Sequence, residues 1–151
     1  MKTVANNLSE AIEYARPQLE AMSESQAAFK TRPEKWSAKE IIGHLIDSAA
    51  NNHQRFVRAQ MGVTALQPYR YAQDNWVKVQ EYQSADWKAL VSLWYFYNVH
   101  LAHVIAGMQA EFLDNELDVW DEPATLRFVA EDYVRHLKHH LDQIFTLEKT
   151  I

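Results

Sequence analysis

Residues 36–56 read "WSAKEIIGHLIDSAANNHQRF" and predict the best-defined helix of the chain. Ser37 stands where a helix N-cap is expected and Glu40 at the third helical position, and together they match a capping box. Trp36 directly precedes the cap. The pattern predicts a helix that begins at Ser37 and extends to near Gln60, with a cap worth about 1 kcal/mol.

Three further amphipathic segments predict helices before and after this one. They cover about residues 5–29, where Pro17 is expected to kink or split the helix, then 86–108 and 125–147. A connection of roughly 25 residues, 61–85, exceeds the usual 2–8 residues between adjacent antiparallel helices. We therefore predict one all-α domain, a four-helix bundle with a long crossover connection between its second and third helices that leaves them parallel, or covers one end as a lid.

The composition excludes several functional classes. The chain has 151 residues, a formal net charge of −5 and no basic stripe, so nucleic acid is not an expected partner. It contains no cysteine, which excludes disulfides, thiolate ligands and a cysteine nucleophile. Because the N-terminal segment lacks an apolar signal core, we expect a cytoplasmic protein.

Residues 89–110 carry no formal charge and are long enough to span a membrane. Ser92, His100 and His103 nevertheless fall on one narrow arc of the predicted helix. This pattern favours a mostly buried helix with one hydrated stripe, so we expect no membrane partner.

The last predicted helix carries three histidines within "HLKHHLDQIF", residues 136–145. His136 and His140 fall at the edge of the apolar stripe, whereas His139 falls well outside it. Side chains four residues apart lie about 5–6 Å apart at Cβ, so the inward pair is able to share one metal ion. The alternative is that both rings are half-buried and only form hydrogen bonds.

A third ligand would strengthen the metal hypothesis, and four histidines are candidates. His44 falls on a polar stripe of the second helix, and periodicity alone slightly favours a solvated face for it. His53 falls on an apolar face, as a hydrogen-bonded core histidine would. His100 and His103 are expected to face solvent.

Asn98 falls in the middle of the apolar face of the third helix. A buried amide needs hydrogen-bond partners. We expect it either to hold a metal ligand or the long connection in place, or to bind a carbonyl of a neighbouring loop.

Two segments, "WSAKEIIGHLIDSAANNHQRF" and "DYVRHLKHHLDQI", resemble the signature segments of the DinB-like (DinB/YfiT) superfamily. "QDNWV" and "YNVHL" are similar to a subgroup of the same family. The resemblance implies a four-helix bundle with a crossing connection after the second helix, and a homodimer. It also implies a divalent metal cofactor, zinc or nickel, held by His44, His136 and His140, so that the polar stripe of His44 would line a wet cavity.

The resemblance further implies a metal-dependent enzyme that acts on a small-molecule substrate, as a thiol transferase or a hydrolase. Three imidazole ligands would leave one coordination position open, as in catalytic metal sites. Any thiol cofactor would have to come from outside this cysteine-free chain. The alternatives are a non-enzymatic protein that binds a metal or small ligand, a bracing site closed by Glu40 or Asp132, and an empty site.

The spacing of three residues from the histidines predicts that they support the metal ligands. Carboxylates or amides that accept the far ring N–H of a metal-bound histidine fix its tautomer. The candidates for this role are Asp47, Asp132 and Gln143. In the long connection, Tyr71, Asp74 and Trp76 are expected to line the mouth of the pocket.

Overall fold

Helices dominate the residues that the computed structural model describes, which are 1–63, 72–118 and 122–148. The helices are α1 (Lys2–Ala21), α2 (Glu24–Ala28), α3 (Ala38–Gln60), α4 (Gln73–Val79), α5 (Trp87–Ala106) and α6 (Leu126–Glu148). Two short strands, β1 (Glu116–Leu117) and β2 (Ala124–Thr125), pair antiparallel before α6. Single 3-10 turns occupy Tyr82–Ser84 and Ala110–Phe112.

The four long helices form a bundle in which α1 and α3 each pack against both α5 and α6. Their apolar stripes meet in one buried core. Its largest fully buried side chains include Trp94, Phe56, Leu45, Leu101 and Ile12. The prediction of an all-α four-helix bundle is confirmed.

The start of α3 follows from the capping box that the sequence predicts. Ser37 Oγ accepts a hydrogen bond from the backbone N–H of Glu40, and Glu40 Oε2 accepts one of 2.8 Å from the backbone N–H of Ser37. Lys30 Nζ donates to Glu40 Oε1 at 2.8 Å. The Glu40 carboxylate is thus engaged in holding the first turn of α3.

The long connection returns to the start of α3 before α5 begins. Ser37 Oγ donates to Gln83 Oε1 at 2.6 Å, and Lys39 Nζ donates to the carbonyl of Ala85 at 2.7 Å. Further along both helices, the rings of His53 and Tyr97 lie 5.7 Å apart. The helices α3 and α5 therefore run parallel, as the crossing arrangement requires.

The first segment divides into two helices, but not at Pro17. That proline lies inside α1, which continues to Ala21, and the new helix α2 begins after Ser23 with its own capping box. A proline removes one backbone donor. Packing of α1 on α5 retains the helix: Trp87 Nε1 donates to the carbonyl of Leu19 at 2.8 Å. The expectation that Pro17 splits the helix is therefore wrong, because the break comes after Ala21.

Within the described residues, α5 is the one helix whose length and hydropathy match a membrane span. Core helices of bundles also meet this test. Here α1 and α3 pack along two sides of α5, and Trp94 and Leu101 are fully buried.

Candidate metal centre

Three imidazole rings converge between α3 and α6. His44 Nε2 and His136 Nε2 lie 3.2 Å apart, and His136 Nε2 and His140 Nε2 lie 3.1 Å apart. His44 is almost fully buried, and the other two rings are half-buried. The bundle thus unites one histidine from α3 with the pair that is four residues apart on α6.

The spacing of these nitrogens fits ligands of one metal ion. Two nitrogens bound at about 2.0–2.1 Å, with an angle of about 90–110° at the ion, lie about 2.9–3.4 Å apart. One ligand atom from each of the three residues falls within 4.8 Å of the others, and no further His, Cys, Asp or Glu of the described residues joins the group. The donor set therefore has three nitrogens and an open side.

Burial keeps these rings neutral, the form in which imidazole binds metals. Loss of hydration, reinforced by the neighbouring rings of His140 and His136, lowers the pKa of His44 to about 3. Burial, reinforced by the neighbouring rings of His140 and His139, lowers the pKa of His136 to about 4. Burial also lowers the pKa of His140, and the hydrogen bond with Gln143 opposes that shift. Because protonation of these rings is unfavourable, their three converging lone pairs remain available to bind a cation.

Gln143 connects two histidines of α6 outside the converging nitrogens. Its Oε1 lies 2.8 Å from His140 Nδ1, and its Nε2 lies 3.0 Å from His139 Nε2. When His140 Nδ1–H donates to the amide oxygen, the lone pair of His140 stands on Nε2, the converging nitrogen. The exposed ring of His139 accepts from the amide and lies outside the group of three.

The expected role of Asp132 is wrong. Its carboxylate is paired with Arg135 at the surface of α6. The buried Nδ1 of His136 has no hydrogen-bond partner among the described residues. Because Asp132 pairs with Arg135, it neither orients His136 nor closes the group as a fourth ligand.

Asp47 is buried one turn after His44, but it faces the long connection. Its Oδ1 accepts hydrogen bonds from Gln80 Nε2 at 2.6 Å and from Tyr82 Oη at 2.7 Å. Its Oδ2 is buried and accepts none from the described residues, so the expected hydrogen bond from His44 is not formed. Burial raises the pKa of Asp47, while the hydrogen bonds from Tyr82 and Gln80 oppose that shift.

The absence of a side chain at Gly43 makes the contact of Asp47 with Tyr82 possible. A Cβ at this position would lie 2.1 Å from the Tyr82 ring. The ring therefore packs directly on the backbone of α3 and brings its hydroxyl to Asp47. Sequence reasoning did not identify Tyr82 or Gln80, because neither is near the histidines in sequence.

Asn98 is fully buried between α5 and α6. Its Nδ2 donates to the carbonyl of Trp94 at 2.8 Å, and its Oδ1 accepts a short hydrogen bond from Tyr133 Oη. The first bond lies within α5, and the bond with Tyr133 ties α5 to α6 in the core. Among the described residues, Asn98 forms none of the expected bonds to a metal ligand, to the long connection or to a loop carbonyl.

A cavity of about 740 Å³ opens beside His140. His140 and Gln143 form part of its polar wall, and Trp36, Ile41 and Leu147 form part of its apolar wall. A volume of this size suits a small-molecule ligand.

Trp36 links the cavity to the converging rings. Its ring centre lies 5.0 Å from that of His44 and 6.5 Å from that of His140. No functional role was predicted for Trp36, although it directly precedes the N-cap of the helix that carries His44.

The three pocket candidates from the long connection have different locations. Asp74, on α4, is exposed and lines the cavity. Trp76 is half-buried on the same helix and does not belong to the described lining of this cavity. Tyr71 lies outside the described residues.

The remaining histidines lie away from this centre. His53 is half-buried and within 3.2 Å of Tyr97 Oη, measured from its Nδ1, rather than enclosed in the core. His100 and His103 are exposed on α5, as the sequence predicts.

Comparison with protein families, curated proteins and solved structures gives four findings. The family model of the DinB superfamily matches residues 7–144. A structure described as "YfiT from Bacillus subtilis is a probable metal-dependent hydrolase with an unusual four-helix bundle topology" is 22% identical, with a TM-score of 0.86, over 98% of this chain and 85% of that one. No curated protein matches the chain significantly.

A mycothiol-dependent maleylpyruvate isomerase is 12% identical in sequence, with a TM-score of 0.77. The likeness covers 94% of this chain and 59% of that one, so the present chain spans less than two thirds of the isomerase. At these identities the two likenesses show a shared fold.

Proposed function

Because the chain belongs to the DinB superfamily and resembles a structure described as a probable metal-dependent hydrolase, we propose that it is a divalent-metal-dependent hydrolase of a small molecule. The observation that carries the proposal is the convergence of His44, His136 and His140 on a side that no fourth described ligand closes. Imidazole sets of this kind suit zinc and nickel, and these are the metals we propose.

The chain's own residues would perform three tasks. His44, His136 and His140 would hold the ion through Nε2, and Gln143 would fix the tautomer of His140. When bound, a divalent cation supplies Lewis-acid polarisation and lowers the pKa of a coordinated water or thiol. The apolar wall of the cavity, with Trp36, would bind and orient the substrate next to the open side.

Transfer to an external thiol is the second candidate. The chain has no cysteine, so a small thiol would have to enter the same cavity, as the resemblance to mycothiol-dependent relatives suggests. A non-enzymatic role in binding a metal or a small ligand is the alternative outside catalysis. The bracing version of that role needs a closing ligand, and Glu40 and Asp132 are both engaged in other ion pairs.

Metal analysis of protein purified without a histidine tag tests the ion site. We expect one equivalent of zinc or nickel in the wild type, and loss of stoichiometric metal in His136→Ala and in His44→Ala. His139→Ala is the matched control on α6 and should keep its metal, because His139 lies outside the group of three. Retention of metal in both ligand variants would contradict the proposal.

An activity screen separates the candidate reactions. Small esters, amides and lactones are tested with and without several low-molecular-weight thiols, in the wild type and in His136→Ala. Hydrolysis that needs the metal and no thiol supports the hydrolase, whereas strict thiol dependence supports the transferase. A loaded protein that binds ligands but turns over none of them favours the binding role.

The oligomeric state and location are proposals of the same kind. We propose a cytoplasmic homodimer, in accordance with the resemblance to the family. Light scattering on purified protein tests the dimer, and detergent-free extraction tests the expected absence of a membrane partner.

A further inference from the structure

A second pair of histidines lies on the other side of α3. His53 follows His44 by nine residues, which is two and a half helical turns. The two side chains therefore leave opposite faces of α3, about 13.5 Å apart along its axis. His44 faces α6, whereas His53 meets His100 of α5.

The ring centres of this pair are as close together as those of rings that share an ion. Imidazoles bound to one ion at about 2.0–2.1 Å have ring centres about 4.5–5.2 Å apart. The centres of His53 and His100 lie 5.1 Å apart, with an angle of 76° between planes. His44 and His136 have the same separation, 5.1 Å, and a similar angle, 68°.

Tyr97 orients one ring of the pair. Its hydroxyl oxygen lies 3.2 Å from His53 Nδ1. When Nδ1–H donates to this oxygen, the lone pair of His53 stands on Nε2, as Gln143 arranges for His140. Partial burial, with His100 beside it, lowers the pKa of His53, so the ring is neutral and able to bind a cation at pH 7.

His103 does not complete a set of three. Its ring centre lies 6.5 Å from that of His100 and the two rings are nearly parallel, with an angle of 28°. This separation exceeds that of rings that share an ion. A cation between His53 and His100 would therefore have two protein nitrogens, with water in its other positions.

We propose that His53 and His100 form a second, weaker transition-metal site that links the parallel helices α3 and α5. A site with two imidazoles and water favours Cu²⁺ and Ni²⁺, whose preferred geometries accept such partial ligand sets, and the general order of affinities places Cu²⁺ above Zn²⁺. Two ligands, one half-buried and one exposed, hold an ion less tightly than three ligands that are all at least half-buried. Binding to the folded state alone would raise the melting temperature as the concentration of the ion rises.

The test uses the double variant His136→Gln with His140→Gln, which removes two of the three ligands of the first centre and leaves the second intact. CuCl2 and NiCl2 are titrated into this variant by calorimetry, and the melting temperature is followed at each concentration. We expect one equivalent of Cu²⁺ to bind, and a Kd at least ten-fold weaker after adding either His100→Ala or His53→Ala. His103→Ala is the matched control from the same helix and should leave the Kd unchanged.

Electron paramagnetic resonance of the Cu²⁺ complex gives an independent measurement. The spectrum should show hyperfine coupling to two imidazole nitrogens, and the conservative variant His100→Asn should reduce that coupling. An unchanged Kd in both His100→Ala and His100→Asn, or an equal loss in His103→Ala, would overturn the proposal. Because the first centre is absent from this background, the result does not depend on the proposed hydrolase.

Discussion

Gln143 Oε1 accepts a hydrogen bond of 2.8 Å from His140 Nδ1. This contact assigns the lone pair of His140 to Nε2, the nitrogen that converges with those of His44 and His136. Outer partners of this kind typically change metal affinity by about 10–100-fold when they are removed.

We therefore predict that Gln143→Met weakens zinc binding by about 10-fold or more without unfolding the protein. Competition with a chromophoric chelator measures the Kd. Gln143→Glu retains an acceptor at the same reach and should bind within a few-fold of the wild type. Equal affinities for the Met and Glu variants would show that the amide does not orient His140.

The buried histidines predict that the metal-free protein loses stability in mild acid. In the unfolded chain these rings have a pKa near 6.5 and take up protons as the pH falls through that value. In the folded chain the pKa is about 3 for His44 and about 4 for His136, so neither ring takes up a proton until the pH is much lower. Acid therefore favours the unfolded state between about pH 6.5 and pH 4, and the effect disappears above pH 7.

For each of these two rings we expect a loss of roughly 1–2 kcal/mol in the free energy of unfolding between pH 7 and pH 5. Urea denaturation of chelator-treated protein at several pH values measures it. His44→Gln should have a shallower dependence on pH than the wild type. Parallel curves for the two proteins would contradict the assignment of buried neutral rings.

Gly43→Ala should destabilise the protein, because the new Cβ would lie 2.1 Å from the Tyr82 ring. Overpacking of this kind typically costs about 1–3 kcal/mol. Gly107→Ala is the matched control: its nearest contact would be 3.6 Å, and its φ of −83° suits any residue. Urea denaturation should show a clear loss for the first variant and a change of less than about 1 kcal/mol for the second.

Tyr133→Phe should leave the buried Oδ1 of Asn98 without its partner. Leaving a buried acceptor unsatisfied costs about 1–3 kcal/mol of stability. The double variant Asn98→Leu with Tyr133→Phe removes both polar groups and should lose less than the sum of the two single changes. Tyr14→Phe, at a tyrosine that is 71% exposed, is the control and should have little effect on the melting temperature.

Local signals in the sequence predicted the bundle well. The capping box at Ser37 and Glu40 fixed the start of α3, and the long connection correctly indicated a crossing. The break near Pro17 was misplaced, because tertiary contacts hold α1 through the proline and a separate cap at Ser23 starts α2.

The site was predictable only in part, because it depends on the orientation of side chains and on partners that are distant in sequence. Periodicity slightly favoured a solvated position for His44, and the resemblance to a family reversed that interpretation. The two carboxylates that spacing predicted to orient histidines contact other side chains instead. Asp47 accepts a hydrogen bond from Tyr82, and Asp132 pairs with Arg135. Of the three residues that spacing assigned to orient the histidines, Gln143 is the one that contacts its histidine, three residues away on the same helix.

The sequence separation of 92 positions from His44 to His136 has a consequence for the order of events during synthesis. A nascent chain that has not yet emerged beyond α5 possesses one nitrogen of the triad and no partner for it. Contacts between such distant positions form late, since closing a long loop carries an entropic cost. Acquisition of the ion would therefore mark the docking of the final helix, and a chain released early would have no means of retaining it.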